Sequence, residues 1–194
     1  MPAPGLPSRA HGVVSLLGPS DRDRVIGIWQ GIEHRLGLRG IWVMPYPHFS
    51  YQIAGEYDEP GLEAALERLA ATTAPFEVRT SGVATFGPPW PVVYLAVEKS
   101  PGLEELHDRI ARACAPHARE LSEYYVGARW TPHVSLAYGN EADGTALTAA
   151  EVDAVLALLG RGAYRWTLRV DNLAFVRDEG TVQRPVRTFP LRAV

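Results

Sequence analysis

Two copies of one short pattern constrain the fold of this chain more than any other feature. Pro47-His48-Phe49-Ser50 returns as Pro132-His133-Val134-Ser135, and the order of the segments after it returns as well. A glycine comes next (Gly55, Gly139), then a helical stretch. An extended pair succeeds it, holding Gly82-Val83-Ala84-Thr85-Phe86 in one half and Asn172-Leu173-Ala174-Phe175-Val176 in the other. Each half closes on a proline-led strand, at Pro91 and at Pro185. Self-similarity of this kind marks a duplicated unit that buries its apolar face against its copy. It predicts one domain over 1–194 with repeats over about 47–98 and 132–191, built as two similar lobes whose His-x-Ser strands face each other across a seam.

Apolar spacing supplies the elements of those lobes. Ser20 is placed to cap a helix with the stripe Val25, Trp29, Ile32 and Leu36, ending near Gly37. A second helix comes after Asp58 and Pro60 and buries Leu62, Leu66 and Leu69. A third starts at Ser100-Pro101, with proline where a first turn tolerates it, and buries Leu103, Leu106, Ile110 and Cys114. Thr148 and Glu151 form a capping box for a fourth, which Gly160 stops. The β-rich stretches are 13–17, 41–44, 48–53, 76–86, 92–97, 124–130, 133–138 and 164–191. Strands and helices alternate irregularly, and no glycine-rich phosphate loop comes after a strand. The expected class is α+β: two antiparallel sheets in a pseudo-twofold, bilobal arrangement, flanked by helices around a central cleft.

Composition narrows the function classes. With 46% hydrophobic and 21% charged residues the chain is not disordered. Its apolar runs fall far short of the roughly 20 residues that span a bilayer, and residues 1–7 do not read as a secretory signal, so a cytoplasmic location is expected. Cys114 is the single cysteine, which excludes an internal disulfide and a thiolate zinc cluster. A net charge of −3 argues against gripping long duplex nucleic acid through many phosphates, while a small phosphate ligand remains compatible.

The repeated motif carries the chemistry. Residues two apart on a strand share a face, so His48 pairs with Ser50 and His133 with Ser135, while Phe49 and Val134 turn to the core. Two imidazoles and two hydroxyls converging on one cleft would surround a phosphate. One neutral imidazole can take a proton from water while the other, protonated, gives one to a leaving alkoxide. The hydroxyls can hold the non-bridging oxygens. Two histidines with Glu56 or Asp58 would be a three-ligand metal set, but no acid is spaced for it, so no metal and no cofactor is expected. Tyr46 and Thr131 precede each histidine by two residues and share its face if the strand continues through the intervening proline. Trp90, in a Gly-Pro-Pro-Trp-Pro turn, is the tryptophan placed to stack a base, whereas Trp42 and Trp130 read as core. Arg129 could contact an anion or pair with a surface acid. His34, His107 and His117 read as solvated, and His11 has no role.

On these residues the chain resembles the 2H phosphoesterase superfamily, in particular its bacterial RNA 2',3'-cyclic phosphodiesterase and 2'-5' RNA ligase-like branch. His48-Phe49-Ser50-Tyr51 with Gly55-Glu56 is similar to the family's first motif and its trailing Gly-Glu. Trp130-Thr131-Pro132-His133-Val134-Ser135-Leu136-Ala137 is similar to the second, and Phe189-Pro190-Leu191 to its last strand. Both motifs carry Ser where the best-known members carry Thr, and Tyr138 stands where many have arginine, which makes it a candidate substrate contact. The resemblance implies metal-independent hydrolysis of a 2',3'-cyclic phosphate to a 2'-phosphate, with His48 as acid and His133 as base; the residues alone do not order these roles. The expected partners are RNA ends or small cyclic-phosphate nucleotides, with no membrane, no protein partner and a monomeric chain. Hydrolysis of cyclic or 2'-5'-linked oligonucleotides, 2'-5' ligation, and binding of RNA or nucleotide without turnover are the alternatives.

Overall fold

The computed structural model describes residues 9–139, 145–160 and 164–192. Nine strands in that portion form two antiparallel sheets. One has the order β5-β2-β1-β8-β9, built from Ala118–Leu121, His48–Tyr57, His11–Leu16, Asn172–Asp178 and Gln183–Pro190. The other has the order β6-β4-β3-β7, built from His133–Tyr138, Val92–Val97, Phe76–Phe86 and Thr167–Val170. Helices α2 (Glu59–Ala71) and α3 (Pro101–Cys114) pack on the five-stranded sheet. Helices α1 (Pro19–Leu36) and α4 (Ala149–Leu159) pack on the four-stranded one. This is the α+β, two-sheet architecture that the repeat implied.

The lobes are interleaved along the chain. β1 and β2 are neighbours in one sheet, yet α1 between them lies on the other. β4 and β6 are neighbours in the second sheet, yet α3 between them lies on the first. One continuous core therefore runs through both lobes, from Trp29 and Leu136 to Phe49, Tyr51, Leu103 and Phe175. A second, smaller cluster of Val14, Met44, Ala174 and Val176 covers the opposite face of β1 and β8.

Helix ends follow their local chemistry. Ser100 Oγ accepts the Leu103 N–H, and Thr148 and Glu151 close their capping box. Gly37, at φ 72°, ends α1 in the left-handed conformation that glycine adopts without a Cβ penalty. The start of α1 differs from expectation: Gly18 is the N-cap and Pro19 opens the helix, because proline's fixed φ starts a turn without a side-chain cap. Two expected strands take another form. Gly40–Val43 is a 3₁₀ turn, and Glu123–Tyr125 and Gly127–Arg129 are two more. Gly40 packs so closely on the Tyr138 and Gly139 carbonyls that no side chain fits, and Trp42 Nε1 donates to Glu33 of α1, so this apolar run is held against the four-stranded lobe. The short strand β5 carries no alternating pattern and was not expected.

Candidate active site

Both histidines are the first residue of their strand, His48 in β2 and His133 in β6. Pro47 and Pro132 have no N–H to continue a ladder. Their carbonyls instead accept the N–H of Leu17 at 2.9 Å and of Val97 at 3.0 Å, the same bond in each lobe. On the side of β2 away from β1, β5 pairs only from Ala54 onward, and β6 ends its sheet. The two His-x-Ser segments thus run along open sheet edges, and β2 and β6 meet.

The imidazoles are held alike. His48 Nδ1 lies 2.8 Å from the Tyr46 carbonyl and His133 Nδ1 lies 2.7 Å from the Thr131 carbonyl. A carbonyl oxygen only accepts, so Nδ1 carries the proton in both rings. Each neutral ring then keeps its lone pair on Nε2, and among the described residues neither Nε2 has a hydrogen-bond partner. Burial lowers the pKa of His48 to about 4, against the raising effect of the Tyr46 carbonyl and helped by the nearby His133 charge. Burial also lowers His133, with the Thr131 carbonyl opposing. Phe86 stands edge-on to His133 at 4.9 Å between ring centroids and Tyr94 lies at 5.2 Å, so aromatic carbon displaces water there.

The serines sit in equivalent places. Ser50 pairs across β1 with Val14, then Gln52 pairs with Val13, leaving Tyr51 without a counterpart. Ser135 pairs with Tyr94, then Ala137 with Val93, leaving Leu136 without one. Each motif is therefore followed at once by a β-bulge, a device that bends a strand and re-aims side chains beside functional sites. No buried side-chain polar atom lacks a partner among the described residues, and neither serine Oγ has one there, so both hydroxyls open to solvent. The serine carbonyls each accept an indole N–H: Ser50 from Trp130 at 2.8 Å and Ser135 from Trp29 at 3.0 Å.

The other sequence candidates are spread more widely. Tyr46 and Thr131 lie just outside the strands and reach the histidines through their main-chain carbonyls. Tyr138 is at the far end of β6 from His133 and packs on the main core. Trp90 is half-buried in the β3–β4 connection, close to that same far end. Arg129 is exposed and ion-paired with Glu123. Trp130 is buried, as expected, while Trp42 is half-buried. His107, expected in solvent, is 3% exposed: it lies flat on Trp130 at 3.9 Å and bonds the Tyr125 carbonyl through Nε2. Its spacing from Leu103 and Ile110 on α3 was the available signal. His117 is half-buried against Asp58. No group of three or more His, Cys, Asp or Glu side chains among the described residues is placed to hold a metal.

The sequence profile of the 2'-5' RNA ligase superfamily matches residues 23–181. The chain belongs to that superfamily. This is the 2H phosphoesterase group that the two motifs resemble. Among curated proteins none matches the sequence. Several solved structures share the fold. The protein TT0787 of Thermus thermophilus superposes with a TM-score of 0.63 at 20% identity, over 95% of this chain and 98% of that one. Escherichia coli LigT in complex with NADP+ gives 0.61 at 16% identity, over 96% and 99%. Usb1 of Kluyveromyces marxianus gives 0.51 at 14% identity, over 95% and 99%. A phosphoesterase, RNA-processing family and a two-motif cleft thus coincide in this 2H phosphoesterase. No helix among the described residues is long and apolar enough to cross a membrane.

Proposed function

We propose that this 2H phosphoesterase opens 2',3'-cyclic phosphates of RNA ends or nucleotides to 2'-phosphates, using His48, His133, Ser50 and Ser135. The observation that carries this reading is the matched pair of Nδ1–carbonyl bonds, which leaves two Nε2 atoms, one from each lobe, for proton transfer. Neutral His133 takes a proton from water through Nε2 as the water oxygen bonds to phosphorus. The P–O3' bond breaks on the opposite side, and protonated His48 gives its Nε2 proton to O3'. The product is a 2'-phosphate with a free 3'-hydroxyl, and solvent resets both rings. Ser50 and Ser135 donate their hydroxyl protons to the non-bridging oxygens, where charge builds in the transition state.

Both rings are neutral at pH 7, because burial lowers both pKa values. The anionic substrate supplies the charge that lets one of them protonate. Escherichia coli LigT, which shares the fold, is known in complexes with 3'-AMP and with phosphate, ligands of the class proposed here. The test is hydrolysis of 2',3'-cyclic nucleotides in EDTA, comparing wild type with His48→Ala/His133→Ala and identifying the product isomer. Wild-type-only formation of 2'-phosphate is expected. Equal turnover by the double variant, or dependence on added metal, refutes the mechanism.

A further inference from the structure

The two indole bonds answer a need that the open sheet edges create. Each motif serine turns its carbonyl to the open edge of its sheet, away from the paired strand, just before a bulge. A main-chain carbonyl there has to find another donor or face water. Ser50 finds Trp130, and Ser135 finds Trp29. The two tryptophans occupy unrelated places in the chain, Trp29 in the middle of α1 and Trp130 just before β6, yet they make the same bond to the same residue of the motif. Each indole is itself clamped. Trp130 stacks on the His107 ring at 3.9 Å, parallel within 2°, and also meets the Tyr51 ring at 6.0 Å. Trp29 is 2% exposed and meets Trp42 edge-on at 5.4 Å.

We propose that Trp29 and Trp130 are positioning residues, each fixing through its indole N–H the bulge behind one His-x-Ser motif and so the aim of that motif's imidazole and hydroxyl. The proposal rests on the two-histidine reading of the cleft. Buried carbon alone would not select for an N–H at these two points; any large apolar side chain would fill the space. The donor matters because a serine carbonyl left without it is free to turn, and the bulge with it. An error of about 1 Å in a reacting group costs up to roughly 100-fold in rate.

The variants Trp130→Phe and Trp29→Phe keep a ring and remove the donor. Each is expected to lower kcat for a 2',3'-cyclic nucleotide roughly 10- to 100-fold, with KM near the wild-type value. A second readout does not depend on turnover: proton NMR titration of the histidine rings. Trp130→Phe should move the His48 titration, and Trp29→Phe should move that of His133 while leaving His48 in place. Trp166→Phe, at the far edge of the four-stranded sheet, should move neither. If phenylalanine leaves a variant unfolded, benzothienylalanine, which replaces the N–H by sulfur within the same outline, is put in its place. Folded variants with unchanged titrations and kcat overturn the proposal, and so does an equal shift of both histidines in every variant, Trp166→Phe included. Selective shifts in a protein that turns over no cyclic phosphate would uphold the positioning role and reject the proposed activity.

Discussion

His48 should be neutral in the free protein and should gain a proton when an anion enters the cleft. Its pKa falls from an ordinary 6.5 to about 4, chiefly through burial. At 1.36 kcal/mol per unit, charging the buried ring costs about 3 kcal/mol more than charging it in water. An anion seated about 5 Å from the ring, at an effective dielectric near 20, returns about 3 kcal/mol per unit charge. The two quantities match, so a phosphate-class anion brings His48 back to where it holds a proton near neutral pH. Sulfate is the suitable probe, because it does not titrate over this range. Proton and nitrogen NMR of labelled histidine, assigned with His48→Gln and His133→Gln, would follow both rings from pH 4 to 8. Without sulfate, His48 should titrate near 4, with its neutral form protonated on Nδ1. With sulfate its midpoint should rise by more than one unit. A free-protein midpoint at or above 6.5, a neutral form protonated on Nε2, or a midpoint that sulfate leaves in place would refute the reasoning.

Ser50→Ala and Ser135→Ala should each lower kcat roughly 10- to 100-fold by removing a donor to the developing charge. Neither should lower Tm, since neither hydroxyl has a protein partner among the described residues, and steady-state kinetics with thermal melts checks both. Gly40→Ala should destabilise the fold by about 1–3 kcal/mol, a Tm loss of several degrees in thermal unfolding, because its Cβ lands on the Tyr138 and Gly139 carbonyls. Stability should decline as pH falls below 6.5: His48 and His133 have lowered folded pKa values, so the unfolded chain binds more protons there. Urea midpoints measured from pH 7.5 to 4.5 should show this decline, and the His48→Gln/His133→Gln variant should flatten it in part, leaving the share of His11 and His107. Phe86→Ala should raise the His133 titration toward 6.5 by admitting water, and NMR should find His48 unmoved.

Where local chemistry decides, the sequence was readable. Ser100-Pro101 and the Thr148–Glu151 box set helix starts that the structure keeps, because capping involves only neighbours in sequence. The prolines before His48 and His133 fixed where two strands begin. Where distant contacts decide, it was not. The apolar residues of Gly40–Val43 have strand propensity, but Gly40 has to fit on Gly139 and Trp42 has to reach Glu33, and tertiary contact overrides propensity. The acceptors and donors of the two indole bonds lie 80 and 106 residues apart, beyond any periodic signal. His107 was legible in principle, one turn from Leu103 and on the same stripe, but a polar side chain reads as solvent until its stacking partner is known.

The symmetry of the cleft has a chemical counterpart. Opening a cyclic phosphate needs a base on the side where water enters and an acid on the side where O3' leaves, and an in-line displacement puts these on opposite faces of phosphorus. A duplicated strand that presents the same imidazole tautomer from each lobe meets that need with one local design used twice: proline, histidine, serine, bulge and indole. The cyclic phosphate is not symmetric, however, because water enters at one end and the ribose O3' leaves at the other. The walls differ accordingly. Beside His133 stand Phe86 and Tyr94, stacked at 4.2 Å. Beside His48, across β1, stand Leu16 and Val14, packed with Met44, Ala174 and Val176. On the proposed mechanism the repeated part handles the protons, and the divergent part is what a base or sugar would touch. Exchange of the motif serines should therefore change rate, whereas exchange of the wall residues should change which substrate is accepted.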